Sequence, residues 1–174
     1  MSNVKIFVLY LMRNINYPLS FVTINDIVMQ NDYVMYLDFA EAFHEMVDMH
    51  LIDKFEEDGK ELYLITDRGR VVARELKSDL LASVLDKALT QALRYLDFKK
   101  RKIVAKCTVE KTDDGRYQVT CFFTEKGLPI FSQSLVVDTE NRAERMRNNF
   151  YERPEAIYRG VVALMAGNVN YLFD

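Results

Sequence analysis

Cysteine, proline and glycine are all scarce in this sequence, at 2, 3 and 6 of 174 residues. Two cysteines cannot staple a small secreted scaffold, so the expectation is a reduced, cytoplasmic protein with free thiols. So little glycine and proline excludes collagen-like and low-complexity chains. Long hydrophobic runs are missing too. The longest, Ile6–Met12, is bounded by Lys5 and Arg13, far short of the roughly 20 residues that cross a bilayer. No small-residue cleavage site follows it, as a signal peptide would require. The run reads as a buried helix, and no membrane partner is expected. A strong charge of one sign is also absent. The net charge of −3 argues against the whole chain acting as an electrostatic nucleic-acid binder.

What is present is ordinary globular composition, 49% hydrophobic and 28% charged. A chain of this length buries about 70% of its unfolded surface, enough for one large domain or two small ones. The charge is uneven. Residues 1–76 carry 7 Lys and Arg against 13 Asp and Glu, a net of −6, while residues 77–174 carry 16 against 13, a net of +3. That asymmetry suggests two modules.

In the first, Val4, Phe7, Val8, Leu11 and Ile15 follow helical spacing, and Pro18 forbids continuation. Thr23 with Asp26, and Asp38 with Glu41, read as N-caps with an acid at the third helical position. They start a helix to about Gln30 and another to about His50, separated by the Asn31-Asp32 turn signal. On the latter helix Phe39, Phe43, Met46 and Val47 face inward. Two apolar runs, Leu51-Ile52 and Leu62–Ile65, flank Asp58-Gly59, a hairpin dipeptide. Thr66 caps a further helix from Asp67 to about Leu76. Three short helices, a two-stranded wing and a helix make the plan of a winged helix-turn-helix. The stretch from Leu51 through Glu57-Asp58-Gly59-Lys60 to Ile65-Thr66-Asp67-Arg68-Gly69 resembles the wing of bacterial winged-helix regulators.

Helical pattern resumes at Asp79. Leu80, Leu81, Val84, Leu85, Ala88, Leu89, Ala92, Leu93 and Leu96 form two adjacent apolar stripes, wider than one core-facing side requires. Such a helix bridges its own modules or packs on a second chain. The expected reading is a homodimer seam through Leu81, Val84, Leu85, Ala88, Leu89 and Ala92. After Lys99-Lys100-Arg101-Lys102, alternation predicts two strands joined by Asp113-Asp114-Gly115. A three-residue loop with Gly115 left-handed pairs 105 with 123, 107 with 121 and 109 with 119, which aligns both apolar faces. Cys107 thus lies opposite Cys121. Two reduced core thiols are the expectation, with a cross-strand redox pair as the sharper alternative. Gly127-Leu128-Pro129 turns the chain into a third strand over Ile130–Val137. Thr139 caps a helix over roughly 140–151. Pro154 starts another that Gly167 ends, with Ala156, Ile157, Val161, Leu164 and Met165 as its apolar face. The predicted organisation is α+β: a winged helix-turn-helix domain over 1–77, a linking and dimerisation helix over 78–98, and an α+β domain over 99–174 with a three-stranded antiparallel sheet and two C-terminal helices.

Chemistry-bearing motifs are lacking. There is no GxGxxG, phosphate-binding loop or nucleophile elbow. His44-Glu45-Met46-Val47-Asp48 misses HExxH by its second histidine, and His50 lies about 200° round the helix from Asp48. No metal, no cofactor and no enzymatic activity are expected. The arginines of the last helices, Arg142, Arg145, Arg147, Arg153 and Arg159, read as a solvated surface among glutamates.

The order of elements, with Asn31-Asp32-Tyr33, Leu51-Ile52, Asp58-Gly59-Lys60, Ile65-Thr66-Asp67-Arg68-Gly69 and Ala156-Ile157-Tyr158, resembles a bacterial family catalogued as domain of unknown function 4364. The resemblance spans nearly the whole chain. It implies an N-terminal winged helix and, through it, a regulatory role. Ala40, Glu41 and Ala42 depart from the uncharged polar residues of relatives early in the third helix.

The expected function is a dimeric DNA-binding transcriptional regulator with double-stranded DNA as partner. Ala40, Glu41, His44 and Glu45 would meet the major groove, and Lys60, Arg68 and Arg70 the phosphates. The alternative is a winged helix that docks a basic protein partner through its acidic third helix. Carboxylates on that helix repel phosphates, and the first module has few cations to spare.

Overall fold

α1 (Asn3–Ile15) carries apolar residues nearly all round, so it is buried nearly all round: Ile6, Phe7, Val8, Leu9, Leu11 and Met12 lie in the core. It ends where Asn16 turns left-handed (φ 60°) and returns its N–H to Met12 O at 3.0 Å. The computed structural model describes residues 1–31 and 33–169. These form a mixed α+β arrangement of seven α-helices, a two-stranded sheet and a three-stranded antiparallel sheet. Asp32 of the Asn31-Asp32 turn lies outside the described residues. The chain divides into two compact units, Met1–Leu96 and Asp97–Asp174.

In the first unit, α2 (Phe21–Met29) is capped by Ser20, whose hydroxyl accepts the Thr23 N–H at 3.2 Å. Thr23 is therefore not the cap. The earlier start brings Phe21 into the helix and against Phe39 and Phe43, with ring centroids 5.6 and 5.0 Å away. α3 (Tyr36–Asp48) likewise begins ahead of Asp38. Extended Met35 holds the cap position without a side-chain bond, and Asp38 sits in the first turn, where the helix dipole favours an acid. β1 (Ile52–Glu57) and β2 (Lys60–Ile65) pair antiparallel, and Glu57 lies opposite Lys60. Asp58 and Gly59 between them both have positive φ (51° and 71°), the two-residue turn that suits strand twist. Leu19, between α1 and α2, bonds Tyr63 of β2 in both directions, at 3.0 and 2.8 Å. α4 runs Asp67–Leu76 with Thr66 as its cap.

α5 covers Ala82–Lys100 and so starts after Asp79, which closes a short 3-10 turn (Lys77–Asp79). Extended Leu80 (ψ 151°) separates the two. Leu85, Ala88, Ala92 and Tyr95 of α5 enter the core of the first unit, and the Tyr95 hydroxyl donates to Asp26 at 2.6 Å.

In the second unit, β3 (Ile103–Lys111), β4 (Tyr117–Glu125) and β5 (Leu128–Val137) form a sheet with β4 central. The β3–β4 register pairs Ala105 with Phe123, Cys107 with Cys121 and Val109 with Val119. Gly115 is left-handed (φ 83°) and donates to Thr112 O at 2.9 Å, as the three-residue loop requires. The next turn falls one step earlier than expected, at Lys126-Gly127, with φ 51° and 82°. Leu128 and Pro129 already belong to β5. Proline is tolerated there because β5 is an edge strand among the described residues, and a bulge at Phe123/Thr124 absorbs the extra residue. α6 (Glu140–Glu152) is capped by Thr139, which accepts from Arg142 N at 3.3 Å. α7 (Pro154–Met165) opens on Pro154. Phe98, Phe123, Phe150 and Tyr158 form the aromatic heart of this core. α7 contributes Ile157 and Tyr158 to it, whereas Leu164 and Met165 are exposed, contrary to the expected apolar face. Among the described residues, α7 meets aromatic rings through Tyr158 in its first turns, against Phe98 and Phe131.

Candidate nucleic-acid interface

Three devices fix the end of α3 against the start of α4: a Schellman turn, a side-chain hydroxyl and a close glycine contact. His50 turns left-handed (φ 54°), its N–H bonds Val47 O, and Leu51 N–H bonds Met46 O, both at 2.9 Å. This is a Schellman end. The Thr66 hydroxyl then donates to His50 O at 2.9 Å, with Leu51 O at 3.2 Å, while accepting the Gly69 N–H at 3.0 Å. Gly69 packs on Leu51 so closely that a Cβ would lie 2.2 Å from its carbonyl oxygen. The Ile65-Thr66-Asp67-Arg68-Gly69 stretch is thus a joint that positions α3, the hairpin and α4 together.

On α3, Leu37, Glu41, His44 and Asp48 recur at helical spacing and are exposed; Glu45 beside them is exposed and Ala40 half-buried. Phe39, Ala42, Phe43 and Met46 hold the opposite, buried face. Glu45 is ion-paired with Lys5 of α1, which offsets one of the four acids of this helix. Lys60 opens β2 directly after the turn and is exposed, as is Arg68; Arg70 is half-buried. None of these three enters an ion pair among the described residues. Lys54 is taken by Glu61 across the hairpin, and Arg74 by Glu75 at 2.9 Å. Hydrogen bonds from Lys54 and Tyr63 hold the Glu61 carboxyl below its ordinary range. Burial, and then Glu61, push the Tyr63 hydroxyl up to about 12.

The candidate residues on α3, the hairpin and α4 are therefore exposed or partly so. The sequence reading missed Met35, Tyr36 and Leu37, which are exposed at the start of α3, Leu37 at 76%. The aromatic and apolar run Tyr33–Leu37 signalled them, but the Asp38 cap assignment left them outside the helix.

The dimer seam needs correction. Leu85, Ala88 and Ala92 are buried in the core of their own unit, and Val84 and Leu89 pack against it. Leu85, Ala88 and Ala92 are thus spent on their own unit, whereas Val84 and Leu89 stay half-buried. Only Leu81 of the six is exposed, at 72%. Periodicity reveals an apolar stripe but not which surface covers it.

A family model described as a domain of unknown function (DUF4364) matches residues 4–165. The chain belongs to that family. The DUF4364 match runs from α1 to the end of α7, so it includes both units. No curated protein and no solved structure matches this DUF4364 chain. Among its described residues no helix is long and apolar enough to cross a membrane, and no group of three or more His, Cys, Asp and Glu converges on a metal-sized site.

Proposed function

We propose that the protein is a DNA-binding transcriptional regulator whose first unit is a winged helix-turn-helix. The supporting observation is the pairing of Leu19 with Tyr63. It adds a short extended segment between α1 and α2 to the β1–β2 hairpin, with α3 running directly into that hairpin, as a winged helix requires. In this reading α3 enters the major groove. Ala40, Glu41 and His44 meet base edges, Glu41 reading the amino group of cytosine, and Lys60, Arg68 and Arg70 lie on phosphates. Glu45 is held by Lys5 and serves to orient α3.

Selection from a random double-stranded DNA pool at physiological salt tests it. The expected result is an enriched motif whose affinity falls steeply with salt. Arg68→Ala lowers the log–log slope by about 1 while leaving the motif unchanged. A palindromic motif with half-sites one helical turn apart would require two copies of the chain.

One observation favours a second reading, a docking face for a protein. Met35 and Leu37 are exposed beside Asp38, Glu41 and Asp48, an apolar patch with an acidic rim that suits a basic partner better than phosphate. Absence of DNA binding even at low salt would decide for it.

A further inference from the structure

Cys107 and Cys121 face each other across β3 and β4 with their sulfurs 3.1 Å apart. Which kind of cross-strand pair they form follows from Tyr151. Its hydroxyl accepts the Cys107 N–H at 2.9 Å and donates to the Cys107 carbonyl at 3.3 Å. Both backbone groups of Cys107 therefore point away from β4, so the pair is a non-hydrogen-bonded one. Such pairs bring the Cα atoms to about 4.5 Å and the side chains into their closest approach. That spacing lies inside the range a disulfide bridges, at its compact end. No strand has to move for the bond to form.

Access is one-sided. Cys107 is buried, whereas Cys121 lines a cavity of about 120 Å³ with Val119, Phe131, Leu135, Met146 and Phe150. That volume admits a molecule of a few heavy atoms, and its apolar wall favours a neutral one. We propose that Cys107 and Cys121 are a reversible thiol-oxidation site for a small, uncharged hydroperoxide, with Cys121 as the residue attacked first and Cys107 as the resolving one. The thiolate of Cys121 attacks a peroxide oxygen, the O–O bond breaks, and the leaving oxygen departs as water or alcohol with one proton, which makes Cys121 a sulfenic acid. The Cys107 sulfur then attacks the Cys121 sulfur, the S–O bond breaks, and a second water leaves with the other thiol proton. Two thiols are oxidised by two electrons and one peroxide is reduced. The thiol lining the cavity wall becomes a disulfide sulfur, and β3 is tied to β4.

Burial disfavours the thiolate, so the first step is slow at neutral pH, and the site answers sustained peroxide rather than a brief pulse.

The full chain is exposed to hydrogen peroxide in native buffer, remaining thiols are alkylated, and intact mass and unreduced peptides are read. The expected product has lost the mass of two hydrogens, links the peptides of Cys107 and Cys121, stays monomeric in its crosslinking, and reverts with a thiol reductant. In Cys107→Ser the disulfide disappears and a sulfenic acid on Cys121 becomes trappable by a dicarbonyl reagent. In Cys121→Ser oxidation of Cys107 slows at least about tenfold, as its burial requires. Disulfides between chains, direct passage of Cys121 to sulfinic acid with Cys107 intact, or intact thiols in native protein that do oxidise in urea would each overturn the proposal.

Discussion

The Cα of Gly69 approaches the carbonyl oxygen of Leu51 so closely that no side chain fits between them: a Cβ there would stand 2.2 Å from that oxygen and 2.8 Å from Ile65 Cγ1. Glycine inside a helix ordinarily weakens it, and alanine in its place strengthens it by about 0.5–1 kcal/mol. Here the sign reverses. Gly69→Ala forces α4 away from Leu51, three residues beyond α3, at a cost of about 3 kcal/mol, the upper range for overpacking. Denaturant unfolding of the first unit reads this, and a stabilised variant would refute the packing.

His50 supplies the opposite case. It is exposed and held at φ 54° by the Schellman end of α3. Glycine occupies that conformation without penalty, so His50→Gly stabilises the first unit by about 0.5–1 kcal/mol. The Thr66 bond to the residue 50 carbonyl is unaffected, because it involves backbone oxygen. A raised midpoint in thermal unfolding is the expected outcome.

Leu85 and Leu93 lie on the same helix yet differ in role. Leu85 is 4% exposed and Leu93 48%. Leu85→Ala costs about 2–5 kcal/mol, the range for an emptied core position, whereas Leu93→Ala stays within about 0.5 kcal/mol. Equal effects would mean that the two surfaces of α5 had been assigned wrongly.

Tyr151→Phe removes the one hydroxyl that serves both backbone groups of Cys107. The loss is about 1 kcal/mol, the net worth of such a bond. Hydrogen exchange at the Cys107 amide should accelerate in the variant while amides of β4 keep their protection.

Burial, and then the neighbouring Cys107 thiol, push the Cys121 thiol up to about 12. The thiolate stays a small fraction through neutral and mildly alkaline pH. Alkylation of Cys121 by iodoacetamide therefore accelerates about tenfold per pH unit from about pH 7 to 10 without levelling, whereas an ordinary cysteine levels off above about pH 9. Peptide mapping of alkylated protein follows it.

Local signals were legible where one residue carries the whole geometry. Thr66 and Thr139 cap the helices expected of them. Asp113-Asp114-Gly115 sets the β3–β4 register because only a three-residue loop aligns the two apolar faces. The starts of α2 and α3 were misplaced for a shared reason: Thr23 and Asp38 are good caps in isolation, but aromatic packing of Phe21 and an uncapped Met35 win in the folded chain. Burial of the α5 stripe by its own unit was not legible, since spacing is silent about the covering surface. Of the candidate interface, the exposure of Glu41, His44, Lys60 and Arg68 followed from helical and hairpin periodicity, while the Lys5–Glu45 pair joins residues 40 positions apart and left no local trace.

The Tyr151 clamp has a consequence for how copies of the protein stay apart. A bare sheet margin is a template onto which a foreign strand can zip. With a hydroxyl already seated on the middle of β3, that margin offers no uninterrupted row of amides and carbonyls. Among the described residues of the second unit, β5 is the other margin that could recruit a strand, and Pro129 near its beginning deletes one of the amides such recruitment needs. Fibrous association of the second unit is therefore favoured at β5 over β3, and loosening Tyr151 would open a second front.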